Sequence, residues 1–206
     1  RLVTGDPLIH RDLEARIAEA KRAERALAFS SGYAANVGTI AALDPDVVFS
    51  DELNHASIVD GCRLADADVV VYDHCDPGDL RARMHQRRID PDAADDSAVP
   101  DGSAVESAVP DASTDSAVVP NGGRTDSTVP HGASHSDPIA NGGANESWLV
   151  VTDSVFSMDG TVAPLEAVAD VAEAFGAWLM VDEAHATGCY VGGGGVVQRE
   201  GLEDRV

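Results

Sequence analysis

Lysine is almost absent from this chain: Lys21 is the only one among 206 residues. Lys and Arg total 14, so 14 − 1 = 13 of the cations are arginines, set against 36 Asp and Glu and a net charge of −22. A chain this poor in cations lacks the basic face that nucleic acid or an anionic membrane would require. Aromatic residues make up only 4% of the chain, so its core must come from Ala, Val, Leu and Ile. The 44% hydrophobic content is enough for one. Cysteine is scarce as well. Cys62, Cys75 and Cys189 are widely spaced, form no CxxC pair and are odd in number, which argues against a disulfide framework. They read as reduced thiols of a cytoplasmic protein, and no residue is assigned to a metal. No apolar run reaches transmembrane length and no signal peptide leads the chain. The first residue is Arg1 rather than Met, so an internal piece of a longer protein is expected. Acidity with so little lysine suggests a protein working in concentrated salt, where screening removes most self-repulsion.

Residues 1–90 alternate between helical and strand patterns. Leu8 to Leu27 carries Leu13, Ile17, Ala20 and Leu27 at helical spacing, which predicts a helix with one apolar face. Ser30-Ser31-Gly32 interrupts it, and Tyr33 to Leu43 reads as a buried helix. Val47 to Ser50 is a β-rich run ending at Asp51, and Val69 to Tyr72 is a second one ending at Asp73. His55 to Ala65 and Asp79 to Arg88 read as helices. The stretch 91–146 differs in kind. Asp96-Ser97-Ala98-Val99-Pro100 recurs with variation as Glu106 to Pro110, Asp115 to Pro120 and Asp126 to Pro130. Units of about ten residues with one or two valines cannot offset chain entropy, so a disordered acidic insertion is expected. From 147 the alternation returns: Trp148 to Asp153 reads as a strand, Pro164 to Phe175 as a helix and Trp178 to Asp182 as a strand. Wholly apolar strands separated by helices indicate an α/β fold, a doubly wound and mostly parallel sheet with helices on both faces. Ligands in such sheets sit beyond the carboxyl ends of the strands, where Asp51, Asp73, Asp153 and Asp182 all fall.

Asp182 is the leading candidate for chemistry. It follows an apolar strand directly, and a carboxylate partly buried there needs a partner; a protonated pyridine nitrogen is one such partner, and capping of the next helix is the plain alternative. His185 lies three residues on. Asp182-Glu183-Ala184-His185 also spells the helicase DEAH box, but no GxxxxGK[ST] phosphate loop accompanies it. Ser30-Ser31-Gly32-Tyr33 precedes a helix, whose free N–H groups attract anions such as phosphate, although an ordinary N-cap by Ser31 would look the same. His55 opens the next helix and offers an imidazole that could stack on a flat ring. Ser157 sits in Phe156-Ser157-Met158-Asp159-Gly160, which otherwise reads as a turn. The run Gly192 to Gly195 lacks the strand-then-helix context of a nucleotide loop.

These segments resemble the α-oxoamine synthase family of fold-type I pyridoxal-phosphate (PLP) enzymes. The matching stretches are Arg1 to Gly5, Phe29 to Asn36, Leu53 to Gly61, Val155 to Gly160 and Val181 to Gly188, in the family's order. The resemblance implies that residues 1–90 and 147–206 are two parts of a PLP-binding large domain. It implies that the backbone at Gly32 and Tyr33 holds the PLP phosphate and that His55 stacks on the ring. It further implies that Asp182 pairs with the pyridine nitrogen, and that Ser157 and His185 bond the ring substituents; His55, Asp182 and His185 would be the catalytic set. The implied reaction condenses an amino acid with an acyl thioester and releases carbon dioxide. One branch would use L-alanine and a pimeloyl thioester in biotin synthesis. Another would use glycine and acetyl-CoA. From a different class, the chain could be a non-catalytic relative. The implied partners are these small molecules and a second copy in a homodimer, with no nucleic acid and no membrane. The family's Schiff-base lysine is expected beyond Val206, since the position of Lys21 matches nothing at the site, so this stretch by itself is expected to be inactive. Glu183 stands where the family commonly has a second Asp, a change that keeps the charge.

Overall fold

The computed structural model describes residues 8–90 and 146–206. The chain divides into one unit of residues 1–99 with 139–206 and another of residues 100–138, and every described residue belongs to the first. The expected insertion lies outside the described residues except at its last position. Glu146 accepts hydrogen bonds from Arg87 Nη2 at 3.0 Å and from Trp148 Nε1 at 3.0 Å, so it is built into the fold.

The described elements run α1 (Leu8–Lys21), α2 (Gly32–Leu43), β1 (Val47–Asp51), α3 (Ala56–Ala65), β2 (Asp68–Tyr72), α4 (Pro77–Ile89), β3 (Trp148–Asp153), α5 (Leu165–Phe175), β4 (Trp178–Asp182) and α6 (Val196–Glu200). The four strands form one parallel sheet in the order β2-β1-β3-β4. From β1 the chain winds outward to β2, then returns to the other side of β1 for β3 and β4. The winding direction therefore reverses between β1 and β3, and this is where doubly wound sheets open a crevice at their carboxyl ends.

Alternation along the strands divides the core between two faces. Val47, Phe49, Val70, Tyr72, Trp148, Val150 and Leu179 pack with Leu80 and Met84 of α4 and with Val168, Ala172 and Phe175 of α5. Val48, Leu149 and Val151 pack the opposite face with Ile40 of α2 and Ile58 and Cys62 of α3. Few aromatics suffice because they meet: the Phe49 and Trp148 rings lie 5.1 Å apart and Trp148 stacks on Phe175 at 6.3 Å. Each large apolar side chain buried in this way stabilises the fold by about 1.5–3 kcal/mol. Helix ends follow local rules. Asp76 caps α4 through bonds from the Gly78 and Asp79 N–H groups, with Pro77 at the first position, and Gly176 ends α5 in the left-handed region.

One expectation holds only in part. The helix predicted from Leu8 to Leu27 forms but stops at Lys21, and its apolar stripe is uncovered: Leu13, Ile17 and Leu27 are exposed, and only Ala18 is buried in α1. The helical spacing is present, but no other described element covers that face.

Candidate active site

Three of the four acids at strand ends divide between the two sheet faces by simple alternation. Asp51 continues the Val47–Phe49 side, whereas Asp153 and Asp182 continue the Val151 and Met180 side, toward α2 and α3. Asp73 is exposed beyond β2. Only Asp153 and Asp182 share a site. They are direct register partners on β3 and β4, and Ser154 fastens the strand ends together through its N–H and Oγ to the Asp182 carbonyl at 2.8 and 3.0 Å.

A continuous hydrogen-bond chain links this pair to α2 and α3. Asn36, buried on α2, donates from Nδ2 to Asp182 Oδ2 at 2.7 Å and to Ser57 Oγ at 2.9 Å. Ser57 Oγ lies 2.6 Å from His55 Nδ1, which also accepts from the Ser57 N–H at 3.2 Å. The network assigns the tautomer. Because the Ser57 backbone N–H donates to His55 Nδ1, that nitrogen is an acceptor, so the neutral imidazole carries its proton on Nε2 and the Ser57 hydroxyl proton points to Nδ1. The backbone N–H of His55 closes the circuit by donating to Asp153 Oδ2 at 3.1 Å. Asn54 secures it from below, accepting from the Asp153 N–H at 2.9 Å and donating to the Val151 carbonyl and Ser50 Oγ. The second Asp182 oxygen takes the Ala184 N–H at 2.8 Å.

Two carboxylates side by side cannot both ionise freely. Burial, and then the neighbouring Asp182, push Asp153 up to about 6, while the His55 N–H and the imidazoles of His55 and His185 pull the other way. The pair has surplus negative charge, one member buried and the other half-exposed, which suits a ligand bearing a protonated ring nitrogen. At the start of α2, Ser31 Oγ takes the Ala34 N–H at 3.1 Å. The Gly32 and Tyr33 N–H groups have no acceptor within the helix, because they belong to its first turn. A side chain added at Gly32 would meet nothing within 4 Å, so the approach to them is open. An anion at this helix start and a cationic ring nitrogen at Asp182 are what the donor set fits, and PLP carries both.

The structure thus connects His55 and Asp182 through Asn36 and Ser57. His185 is exposed in the loop after β4 and reaches Asp153 only electrostatically. Ser157 is exposed in the turn closed by the Phe156 N–H to the Thr161 carbonyl, with no direct bond to the cluster. Tyr33 turns its hydroxyl to Asp60 Oδ2 at 3.0 Å. Glu183 is structural: Oε1 accepts the Val197 N–H at 2.9 Å, and Oε2 accepts Lys21 Nζ at 2.7 Å. Lys21 also donates to Thr187 Oγ1 at 2.7 Å, so the single lysine is engaged behind the loop bearing His185. The sequence reading missed Asn36, Ser57 and Asn54. The one available signal for Asn36 was its position four residues after Gly32, which puts it on the same helix face as the open N-terminal turn.

Fold and rim together define a doubly wound α/β domain with a candidate ligand site at its switch point. The chain belongs to the aminotransferase class I and II family, which it matches over residues 1–93 and 136–206. Among curated relatives, the 8-amino-7-oxononanoate synthase of Lysinibacillus sphaericus is 35% identical over 209 residues, covering 100% of this chain and 40% of the relative. That of Anaeromyxobacter dehalogenans is 38% identical over 208 residues, covering 100% and 38%. Among solved structures, a serine palmitoyltransferase from Sphingomonas wittichii superposes with a TM-score of 0.68 at 29% identity, covering 100% of this chain and 39% of that one. A high-resolution structure of SPT with PLP gives 0.67 at 27%, with the same coverage. The chain spans about two fifths of the length of these relatives.

Proposed function

We propose that this chain is part of the large domain of a PLP-dependent acyltransferase that condenses L-alanine with a pimeloyl thioester, releasing carbon dioxide and the free thiol to give 8-amino-7-oxononanoate for biotin synthesis. The observation that carries the reading is the circuit from Asp182 through Asn36 and Ser57 to His55 and back to Asp153. The curated relatives are named for the product, 8-amino-7-oxononanoate.

When bound, PLP supplies a sink for the electron pair left on the amino-acid Cα. Asp182 would keep the ring nitrogen protonated, and its two oxygens are already aimed by Asn36 and by the Ala184 N–H. The Gly32 and Tyr33 N–H groups would take the phosphate, with the α2 dipole favouring the anion. His55, fixed at Nδ1, presents Nε2–H to a ring or substrate carbonyl. Ser157 and His185 would bond ring substituents from their exposed loops. The lysine that carries PLP in such enzymes is not Lys21, which Glu183 and Thr187 hold. We place it in another part of the full-length protein, so the present stretch would bind PLP without turning over substrate. The exposed apolar residues of α1, Leu8, Ile9 and Leu13 among them, support a homodimer, and the acidic composition supports a cytoplasm rich in salt.

The test is an assay of the full-length protein in high salt with three substrate pairs. L-Alanine with pimeloyl-CoA should give the 8-amino-7-oxononanoate product. Preference for glycine with acetyl-CoA, or for L-serine with palmitoyl-CoA as the solved neighbours would suggest, would move the chain to another branch. No turnover with any pair would leave a non-catalytic relative. A monomeric mass by light scattering in the same buffer would remove the dimer.

A further inference from the structure

On the opposite sheet face, beyond β1 and β2, lies a group of side chains that the proposed reaction does not use. We propose that Cys75 and His74, with Asp159 closing from the neighbouring loop, form a binding site for a thiophilic divalent cation of the zinc class, backed by Asp51. The sequence spacing assigned no metal ligands, because these residues come from three separate segments.

Asp51 is buried at the end of β1 and accepts from His74 Nδ1 at 2.9 Å. That bond puts the neutral imidazole's proton on Nδ1 and leaves the Nε2 lone pair directed outward. A carboxylate behind a histidine is the arrangement that orients metal-ligating imidazoles and raises their basicity. Nε2 lies 3.5 Å from Cys75 Sγ. A tetrahedral ion at about 2.0 Å from nitrogen and about 2.3 Å from sulfur holds those two atoms about 3.5 Å apart. The pair is therefore spaced for one ion without rearrangement. Asp159 Oδ2 is 3.9 Å from Nε2 on a half-exposed side chain, within a small rotation of joining as a third ligand and leaving the fourth position to water.

The backbone fixes these positions. Cys75 is in the left-handed region at φ 54°, and its N–H is held by Asp51 Oδ2 at 2.8 Å. The Phe156 ring stands edge-on to His74 at 4.4 Å and walls the site with apolar surface. Without a metal the thiol stays protonated: burial, then Asp51 and Asp159, push it up to about 11. A divalent ion reverses that balance, binding the thiolate and releasing one proton to solvent. The plain alternative is a neutral thiol–imidazole contact that serves only the turn.

The test is titration of the reduced, metal-free chain with Co²⁺, followed by absorbance. One equivalent should develop a sulfur-to-cobalt charge-transfer band that Zn²⁺ then abolishes, and should protect Cys75 from alkylation. Cys75→Ser should lose the band and Cys189→Ser should keep it. Asp159→Asn should bind at least about ten-fold more weakly, the loss that even an outer-shell partner produces. Far-ultraviolet circular dichroism would verify that each variant is folded. A wild-type chain with no band at one equivalent, or a band that survives Cys75→Ser, overturns the site.

Discussion

Asn36 Nδ2 donates to Asp182 Oδ2 at 2.7 Å across 146 positions of sequence, and the same amide nitrogen holds Ser57. One buried side chain thus sets both the carboxylate and the imidazole of the site. Asn36→Ala would leave the Asp182 oxygen and Ser57 Oγ each short of a donor, a loss of about 1–3 kcal/mol for such groups. Part of it should appear in stability and part as PLP affinity lowered roughly ten-fold (~1.4 kcal/mol). PLP binding would be followed by fluorescence quenching, with urea unfolding of the ligand-free chain beside it. A variant that loses stability and keeps its PLP affinity would make Asn36 a packing residue only.

Asp153 makes folding depend on pH. Its pKa is raised in the folded state to about 6 by burial and by Asp182. For a carboxyl with a raised folded pKa, the stabilising contribution is complete below the unfolded value and is lost as pH climbs through the folded one. Stability from this group should therefore fall between about pH 4 and pH 7, by about 2–3 kcal/mol if no other group compensates. Asp153→Asn keeps an oxygen acceptor for the His55 N–H and removes the ionisation. Urea midpoints at pH 5 and pH 7.5 should converge in the variant relative to wild type. Equal differences in both proteins would show that Asp153 stays ionised throughout.

Salt should stabilise this chain rather than weaken it. Several of its ion pairs lie at the surface, such as Arg16 with Asp12 and Arg25 with Glu24, and such pairs contribute about 0–1 kcal/mol each. Against them stands a net charge of −22. The Debye length falls from about 10 Å at 0.1 M to about 3 Å at 1 M, so long-range repulsion is screened while close contacts lose little. The melting temperature should rise between 0.1 M and 2 M KCl. A fall would mean that the specific pairs outweigh the net charge.

The four strands and their common direction were legible because buried parallel strands are continuous apolar runs, here Val47 to Phe49 and Trp148 to Val151, each ending in an acid. Asp182 and His55 were legible from their places at a strand end and a helix start. Which acids share a face was not read out, although alternation along the strands decides it: Asp51 is turned from Asp153 by residue parity alone. Asn36 and Ser57 were invisible for a different reason. A buried polar residue shows in sequence only as an interruption, and its role depends on which strand lies across from it. The α1 stripe misled because helical periodicity marks an amphipathic face without naming its cover.

The site also depends on how closely α2 and α3 approach. A Cβ built at Gly61 of α3 would lie 3.0 Å from Ile40 Cδ1 and 3.3 Å from both Ile40 Cβ and Val37 Cα. Alanine gains about 1 kcal/mol of helix propensity over glycine. Overpacking in a closed contact costs typically 1–3 kcal/mol. The clash should win here, because the opposing atoms include backbone and a branched Cβ that cannot rotate aside. Relief requires α3 to move off α2, and Gly61 lies one turn from Ser57 while Val37 is next to Asn36. Gly61→Ala should therefore lower stability by about 1 kcal/mol and weaken PLP binding in the same variant, with no site side chain altered. Stability gained and PLP affinity unchanged would show that the helices have room to spare and that the Asn36–Ser57 bond does not depend on this contact.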